Sequence, residues 1–146
     1  MLKLFQELKH FVSLILKLLE EGNEWSLGFI REFFIDNPKI LEKWQNGFDK
    51  KNGGSRGAPK FMLPVNQSFL FRYAVQKDDK EIFDQSLLSL NKISYGGVFD
   101  HIGGGFSRYS VDERWHVPHF EKMLYDNGQL VSLYSKAFAL TKDNWY

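Results

Sequence analysis

The chain of 146 residues carries 43% apolar and 16% aromatic side chains, enough for one hydrophobic core in a single domain. Its 19 basic and 18 acidic residues give a net charge of +1, which excludes the electrostatic footprint of a nucleic-acid-binding or membrane-surface protein. The absence of cysteine excludes disulfides, thiolate metal sites and cysteine nucleophiles, and it predicts a cytoplasmic protein.

The first predicted elements are helices. Apolar residues recur at spacings of three and four over 2–19, which predicts an amphipathic helix. Three lysines interrupt that run, so it resembles neither a membrane span nor a signal peptide. A second helix is predicted over 25–35. We therefore expect residues 1–38 to form a helical linker ahead of a domain at 39–146.

The middle of the chain predicts further helices around one loop. Pro38 suits the first turn of a helix. The stretch 50–64 holds three glycines and two prolines, which oppose regular structure. Asn66 is predicted to cap a helix that runs to about Gln76, and another helix is predicted over 80–94.

A long loop of unusual composition follows. Residues 96–127 include five glycines, three histidines and many aromatic side chains. Connections in compact domains usually have about 4–6 residues, and disordered segments are poor in aromatics. We therefore predict an ordered loop that builds a site. Within it, 106–111 and 114–117 are predicted to pair as a short β-hairpin, and Pro118 to start the last helix.

The last helix has an apolar stripe that predicts its buried face. Gly128 lies within that stripe, where we expect a neighbouring helix to approach closely. The residues expected to face the core are Phe120, Leu124, Val131, Tyr134 and Phe138.

Two glycine pairs indicate an internal repeat. Gly53–Gly54 and Gly96–Gly97 lie 43 residues apart, and each opens a glycine-rich aromatic loop that leads to a helix. This period is typical of helical-pair repeats. Long loops that alternate with tight turns would meet at one end of the array, where a site can form. Two glycine-rich loops can also resemble each other by chance.

A metal site is the first chemistry to consider in the long loop. His116 and His119 have a spacing found among metal ligands, with Glu121 nearby. However, His116 lies in the predicted hairpin and His119 in a predicted helical turn, so the two need not share a face. We expect no metal ion and no cofactor.

Acid–base chemistry fits the loop better. Proton transfer needs a group whose pKa is tuned by its surroundings, and aromatic neighbours can provide them. His119 and Glu121 lie beside Trp115 and Phe120 in the sequence. The alternative is structural: Glu121 complements a helix dipole, and Lys122 pairs with an aspartate four residues on.

The two arginines of the loop have two possible roles. Arg108 and Arg114 could hold a carboxylate or phosphate of a ligand, or they could brace the loop against Asp100 and Asp112. We favour bracing.

Three runs resemble the YyaL-type family of thioredoxin-domain-containing proteins, which includes the spermatogenesis-associated thioredoxin-like protein of animals. They are Gly-Ala-Pro-Lys-Phe at 57–61, Gly-Gly-Val-Phe-Asp-His-Ile-Gly-Gly-Gly-Phe at 96–106, and the run at 108–127 that contains Trp-His-Val-Pro-His-Phe-Glu-Lys. The resemblance covers about 39–146. It differs at Met62, Ser107 and Gly128, where the family often has proline, histidine and alanine.

The resemblance implies a fold and a function. Family members resemble a thioredoxin-like domain followed by an (α/α)6 toroid, similar to N-acylglucosamine 2-epimerases and six-hairpin glycosidases. Those relatives bind sugars in the funnel at the long-loop end, with acidic and histidine residues as acid and base. This chain has no Cys-x-x-Cys motif and reaches only about two of six hairpins. We expect a fragment whose uncovered apolar faces make it self-associate.

The expected fold is therefore all-α, with helical hairpins of a partial (α/α)6 toroid and a short β-hairpin in the long loop. The expected function is an incomplete carbohydrate site of the epimerase or isomerase type. The alternative is a non-enzymatic plug in a redox-linked scaffold. The candidate proton-transfer residues are His101, His119 and Glu121. The candidate substrate-binding residues are Phe106, Arg108, Tyr109, Trp115 and Asp126.

Overall fold

A computed structural model describes residues 38–146, with side chains from Leu41 onward. The helices predicted over 2–19 and 25–35 lie outside the described residues. The chain divides into two compact units after Trp44, and the second unit, 45–146, carries the loops of interest. Among residues 38–146, no helix is both long and apolar enough to cross a membrane.

The described part is mostly helical, with one small antiparallel sheet of two strands. Its helices are α1 (Pro38–Gln45), α2 (Pro64–Lys77), α3 (Lys80–Tyr95) and α4 (Leu124–Thr141), and its strands are β1 (Lys60–Phe61) and β2 (Tyr109–Ser110).

Local capping explains where α2 and α3 begin. The helix predicted over 80–94 is confirmed as α3. It begins at Lys80 because the Asp79 carboxylate accepts a hydrogen bond from the Ile82 N–H at 3.0 Å and caps the helix. The cap predicted at Asn66 is wrong. Leu63 occupies the N-cap position of α2 with a φ of 45°, and Pro64 follows in the first turn, where its fixed φ suits a helix.

One hydrophobic core joins the three long helices to the loops. α2 packs against both α3 and α4. The Tyr134 hydroxyl of α4 donates to the Leu90 carbonyl of α3 at 2.8 Å. Buried side chains from every one of these elements meet in the core: Met62, Phe71, Leu90, Ile93, Val98, Trp115, Leu130, Leu133 and Ala137.

The last helix begins at Leu124 rather than at Pro118, so that prediction is wrong. The segment before it is still paired with its neighbours: Pro118 bridges Ser110, and the Arg108 N–H donates to the Glu121 carbonyl at 2.7 Å. Residues that pair along an extended edge cannot also turn into a helix, and a proline is tolerated at such an edge.

The buried face of α4 also differs from the predicted stripe. Leu130, Leu133 and Ala137 are buried, whereas apart from its own helix backbone no described atom lies within 4 Å of the place where a Cβ on Gly128 would be. Apolar residues of α4 lie on most sides of the helix. Their spacing therefore predicted a helix correctly but not which of its sides is buried. Of the predicted stripe, Tyr134 packs on the core, whereas four members are exposed: Phe120, Leu124, Val131 and Phe138.

The strand pairing in the long loop is different from the predicted hairpin. β2 pairs in antiparallel fashion with β1, which places Phe61 opposite Tyr109. On its other side β2 lies beside the returning segment 117–121. The two are joined by a hydrogen bond from the His119 N–H to the Tyr109 carbonyl at 2.9 Å. The return therefore comes later than the predicted 114–117.

The turn within this arrangement is organised by one carboxylate. Asp112 accepts hydrogen bonds from the backbone N–H groups of Arg114, His116 and Val117 at 2.7 to 3.1 Å. Burial acts to raise the pKa of Asp112, but the three amides outweigh it and hold the pKa below its ordinary value. Because these three amides extend to Val117, the turn is longer than the two-residue turn, 112–113, that the predicted hairpin implies.

Two loops of the chain fold in the same way. We call 48–55 the first glycine loop and 99–106 the second. In each, an aspartate N–H donates to the second glycine's carbonyl at 2.9 Å, and the first glycine's N–H donates back to the aspartate carbonyl at 2.8 Å. Both glycines have φ between +66° and +83°, which favours glycine. The equivalent pairs are Asp49 and Asp100, Gly53 and Gly104, and Gly54 and Gly105.

The aspartate carboxylates close both loops. In each loop one carboxylate oxygen accepts from the backbone amides two and three residues further on, at 2.8 to 3.0 Å. The other oxygen accepts from a lysine ammonium, Lys60 for Asp49 at 2.7 Å and Lys122 for Asp100 at 2.6 Å. Lys122 and the amides hold the pKa of Asp100 well below its usual range. Burial acts to raise the pKa of Asp49, but Lys60 and the amides outweigh it and lower that pKa too.

The two glycine loops are therefore a structural repeat, but in a different register from the predicted one. Gly53–Gly54 corresponds to Gly104–Gly105, 51 residues further on, and not to Gly96–Gly97. The latter pair instead lets two backbones approach closely, because a Cβ on Gly96 would lie 2.5 Å from the Trp115 carbonyl oxygen.

We expect Asp49→Asn to lower the free energy of unfolding by about 3 kcal/mol, because it leaves the Lys60 ammonium buried without a counter-charge. Asp84→Asn is the matched control, since its partner Lys80 is 85% exposed and such pairs contribute little. Asp100→Asn should fall between the two, because Lys122 stays partly in water. Urea unfolding at pH 7 measures all three, and equal losses for Asp49→Asn and Asp84→Asn would contradict this account.

Candidate functional site

The candidate site is built on the segments that flank β2. We call β1, 107–111 and 117–121 together the loop wall. Its aromatic side chains form a row across the three segments: Phe61 and Tyr109 have ring centres 4.8 Å apart, and Tyr109 stacks on His119 at 4.5 Å. Antiparallel pairing produces this row, because residues opposite one another project on the same side. Phe61 is 42% exposed, so the row has an open end.

Charged side chains occupy the same wall. Arg108 pairs with Glu121, with 3.2 Å between the guanidinium nitrogen and the carboxylate oxygen, and both side chains are about half exposed. Asp126, in the first turn of α4, is half-buried. Burial raises the pKa of Asp126, and the charge of Arg108 acts in the opposite direction without cancelling that rise. The wall thus holds one paired carboxylate, and the first turn of α4 adds a carboxyl with an upward-shifted pKa.

His119 has one hydrogen-bonding atom that the fold leaves unsatisfied. Its Nδ1 is buried and has no hydrogen-bond partner among the described residues. A buried imidazole nitrogen with no acceptor nearby is better left without a proton. Hydrogen bonding to a ligand would therefore go through Nε2.

His101 does not join this group. It lies in the second glycine loop, is exposed, and contacts the Phe99 ring edge-on at 5.1 Å. Its Nε2 is 3.3 Å from the Gly96 carbonyl. No hydrogen bond or ring contact in the described residues joins it to His119 or Glu121, so the three predicted proton-transfer residues are not one cluster.

Trp115 is not a stacking surface, contrary to prediction. It is fully buried, and its indole N–H donates to the Asn52 carbonyl at 2.8 Å. Its backbone has a φ of 65°, and its ring covers Gly54 of the first glycine loop. Lys60 lies over the same ring, 5.2 Å from its centre. Trp115 therefore belongs to the core.

Phe106 also packs inward. Its ring stacks on Tyr134 at 5.4 Å and lies 4.8 Å from Phe99. Its backbone is held on both sides by Asn127, whose side chain accepts from the Phe106 N–H at 2.7 Å and donates to its carbonyl at 2.9 Å. These contacts leave Phe106 little surface for a ligand.

The predicted bracing of the loop by arginines is corrected. Asp100 is held by Lys122, which also donates to the Gly104 carbonyl at 2.7 Å. Asp112 is held by backbone amides, including that of Arg114, rather than by the Arg114 guanidinium. Arg108 pairs with Glu121.

Lys122 and Asn127 are the site residues that sequence reasoning missed. Their signal is the spacing Phe-Asp-x-x-x-Gly-Gly, present at 48–54 and 99–105, which marks an aspartate-closed loop that needs a cation and an amide from elsewhere. In residues 38–146 no three histidine, aspartate or glutamate side chains converge in a way that could hold a metal ion.

Comparison with known proteins identifies relatives of the chain. No protein-family model matches the chain. It is 45% identical to spermatogenesis-associated protein 20 of Homo sapiens over 114 residues and 41% identical to that of Mus musculus, in both cases over 75% of the chain. It is 38% identical over 94% of its length to an uncharacterized protein of Caenorhabditis elegans.

The chain spans 14% of the length of the two mammalian proteins and 19% of the nematode protein. The matches lie well above the identity at which unrelated sequences align, and they extend over most of this chain. Mammalian relatives at 41–45% identity over three quarters of the chain support its membership of the spermatogenesis-associated protein 20 family.

Proposed function

We propose that residues 45–146 form part of an (α/α)6 toroid that binds a carbohydrate, with the loop wall as one side of the site. The chemistry is of the epimerase or isomerase type, and further hairpins of a longer protein complete the site. The mostly helical fold, with α2 and α3 packed as a hairpin and α4 after a long loop, supports this proposal. So does the resemblance of the loop sequence to YyaL-type proteins.

One observation carries the proposal: the aromatic row of the loop wall is accompanied by Asp126 at the start of α4, a carboxyl that senses the charge of Arg108 and whose pKa is raised by burial. Aromatic faces suit the apolar faces of sugar rings, since they bury area at low entropic cost. Asp126 keeps its proton to higher pH than an ordinary aspartate, which suits a general acid. Glu121, exposed beside Arg108, is the complementary base, and His119 offers Nε2 to a hydroxyl.

We expect monosaccharides, with N-acetyl-D-glucosamine as the first probe, to shift the NMR signals of Tyr109 and His119. Tyr109→Ala should weaken binding at least tenfold, because it removes the middle ring of the row. Wild-type binding should vary with pH across the raised pKa of Asp126, and binding by Asp126→Asn should not vary there.

The control is Tyr95→Ala, which removes an exposed tyrosine that stacks on Trp145. It should leave sugar binding unchanged. The proposal fails if none of the sugars shifts a loop-wall signal, or if Tyr95→Ala weakens binding as much as Tyr109→Ala.

A structural role is the second candidate, and a specific observation favours it. Asp100 and Asp112 use their carboxylates on backbone amides, and Trp115 lies in the core. In this case the long loop closes the toroid of a redox-linked scaffold. Absence of sugar binding by the wild type, with a large loss of stability in Tyr109→Ala, would favour this role over the first.

We also propose that the chain self-associates through the outer face of α4, which consists of Leu124, Val131 and Phe138. These side chains are 88%, 68% and 41% exposed. They recur every seven residues, so they form one stripe along the helix. An apolar stripe of this kind is costly to leave in water.

Sedimentation velocity should therefore show an average mass that rises with protein concentration. Val131→Lys should return the chain to a monomer, because it places a charge in the middle of the stripe. Val75→Lys on α2 is the matched control, since Val75 is 51% exposed and lies outside the stripe. A wild-type monomer across the accessible concentration range would refute self-association.

A further inference from the structure

The two glycine loops have the same hydrogen bonds but different surroundings. The first glycine loop is covered by α3. The Gly54 N–H donates to the Ser89 hydroxyl at 2.8 Å, and the Gln85 side-chain amide donates to the Asp49 carbonyl at 3.0 Å. The backbones touch as well, because a Cβ on Gly53 would lie 2.5 Å from Ser89 Cα.

Two side chains of α3 thus recognise the first glycine loop. Gln85 and Ser89 lie four residues apart, on one face of the helix, and both are buried. The Ser89 hydroxyl donates to the Gln85 carbonyl at 2.8 Å, which leaves its oxygen free to accept from the loop. The pair therefore offers one donor and one acceptor, matched to the loop's carbonyl and N–H.

In the second glycine loop the counterparts of these two backbone groups have no partner from another element in the described part of the chain. The Gly105 N–H, the counterpart of the Gly54 N–H, has no acceptor among residues 38–146. Among the same residues, the Asp100 carbonyl accepts only from the Gly104 N–H of its own loop. Beyond its chain neighbours, no atom of the described residues lies within 4 Å of the place where a Cβ on Gly104 would be, and Ile102 is fully exposed.

We propose that this open face of the second glycine loop binds an amphipathic helix that carries glutamine and serine four residues apart. The helix would lie on Gly104 as α3 lies on Gly53. Its serine would accept from the Gly105 N–H, its glutamine would donate to the Asp100 carbonyl, and its apolar stripe would cover Ile102. The proposal does not depend on carbohydrate binding, because it concerns the second glycine loop and not the loop wall.

The test uses a copy of α3 as the probe. A peptide of residues 80–95 is prepared with a side-chain amide link between Lys80 and Asp84, which are an exposed pair one turn apart, so that the short peptide stays helical. It is titrated into the isotope-labelled 146-residue chain below the concentration of self-association. We expect saturable shifts of the Gly104 and Gly105 amide signals.

A control peptide with Gln85→Ala and Ser89→Ala should bind at least tenfold more weakly, because it lacks both hydrogen-bonding groups. On the protein, Ile102→Glu should weaken binding, whereas Val75→Glu, also at an exposed apolar position, should not.

Three results would overturn the proposal. The first is the absence of any shift at Gly104 and Gly105. The second is a shift confined to Gly53 and Gly54, which would mean that the peptide only replaces α3 in its own place. The third is equal binding by the control peptide.

Discussion

The interaction on which this structure depends is an aspartate carboxylate that accepts hydrogen bonds from successive backbone amides of its own loop. Asp49, Asp100 and Asp112 each do this. Glycine-rich loops have a high conformational entropy when unfolded, and a carboxylate that holds several amides at once selects one conformation. Lysines then fix the first two carboxylates, Lys60 from inside the protein and Lys122 from its surface.

The loop wall follows from these three turns. The first glycine loop leads to β1, and the second leads to β2. The Asp112 turn then returns the chain beside β2, so that three segments lie side by side and their aromatic side chains form a row. The same geometry brings Arg108 to Glu121. The site proposed for carbohydrate is therefore held by turns whose own carboxylates bind backbone amides.

Local patterns in the sequence predicted α3 well, because apolar periodicity acts over a few residues, but they misplaced the starts of α2 and α4. α3 begins where Asp79 caps it, and the loop between α3 and α4 is ordered. The phase of α4 could not be predicted, since Leu124 and Val131 are as apolar as the residues that are buried. Trp115 was misassigned because an aromatic residue in a polar loop gives no indication of whether it points inward; here its ring lies against Gly54, in the core.

Hydrogen exchange of individual amides tests most directly the claim that aspartates close both glycine loops. The account predicts slow exchange at the amides of Ile102 and Gly103, although this loop is exposed, because the Asp100 carboxylate accepts from both. It predicts that the Gly54 amide, bonded to Ser89, is protected and that its counterpart at Gly105 exchanges rapidly. Exchange of Ile102 and Gly103 at the rate of an unfolded chain would contradict it.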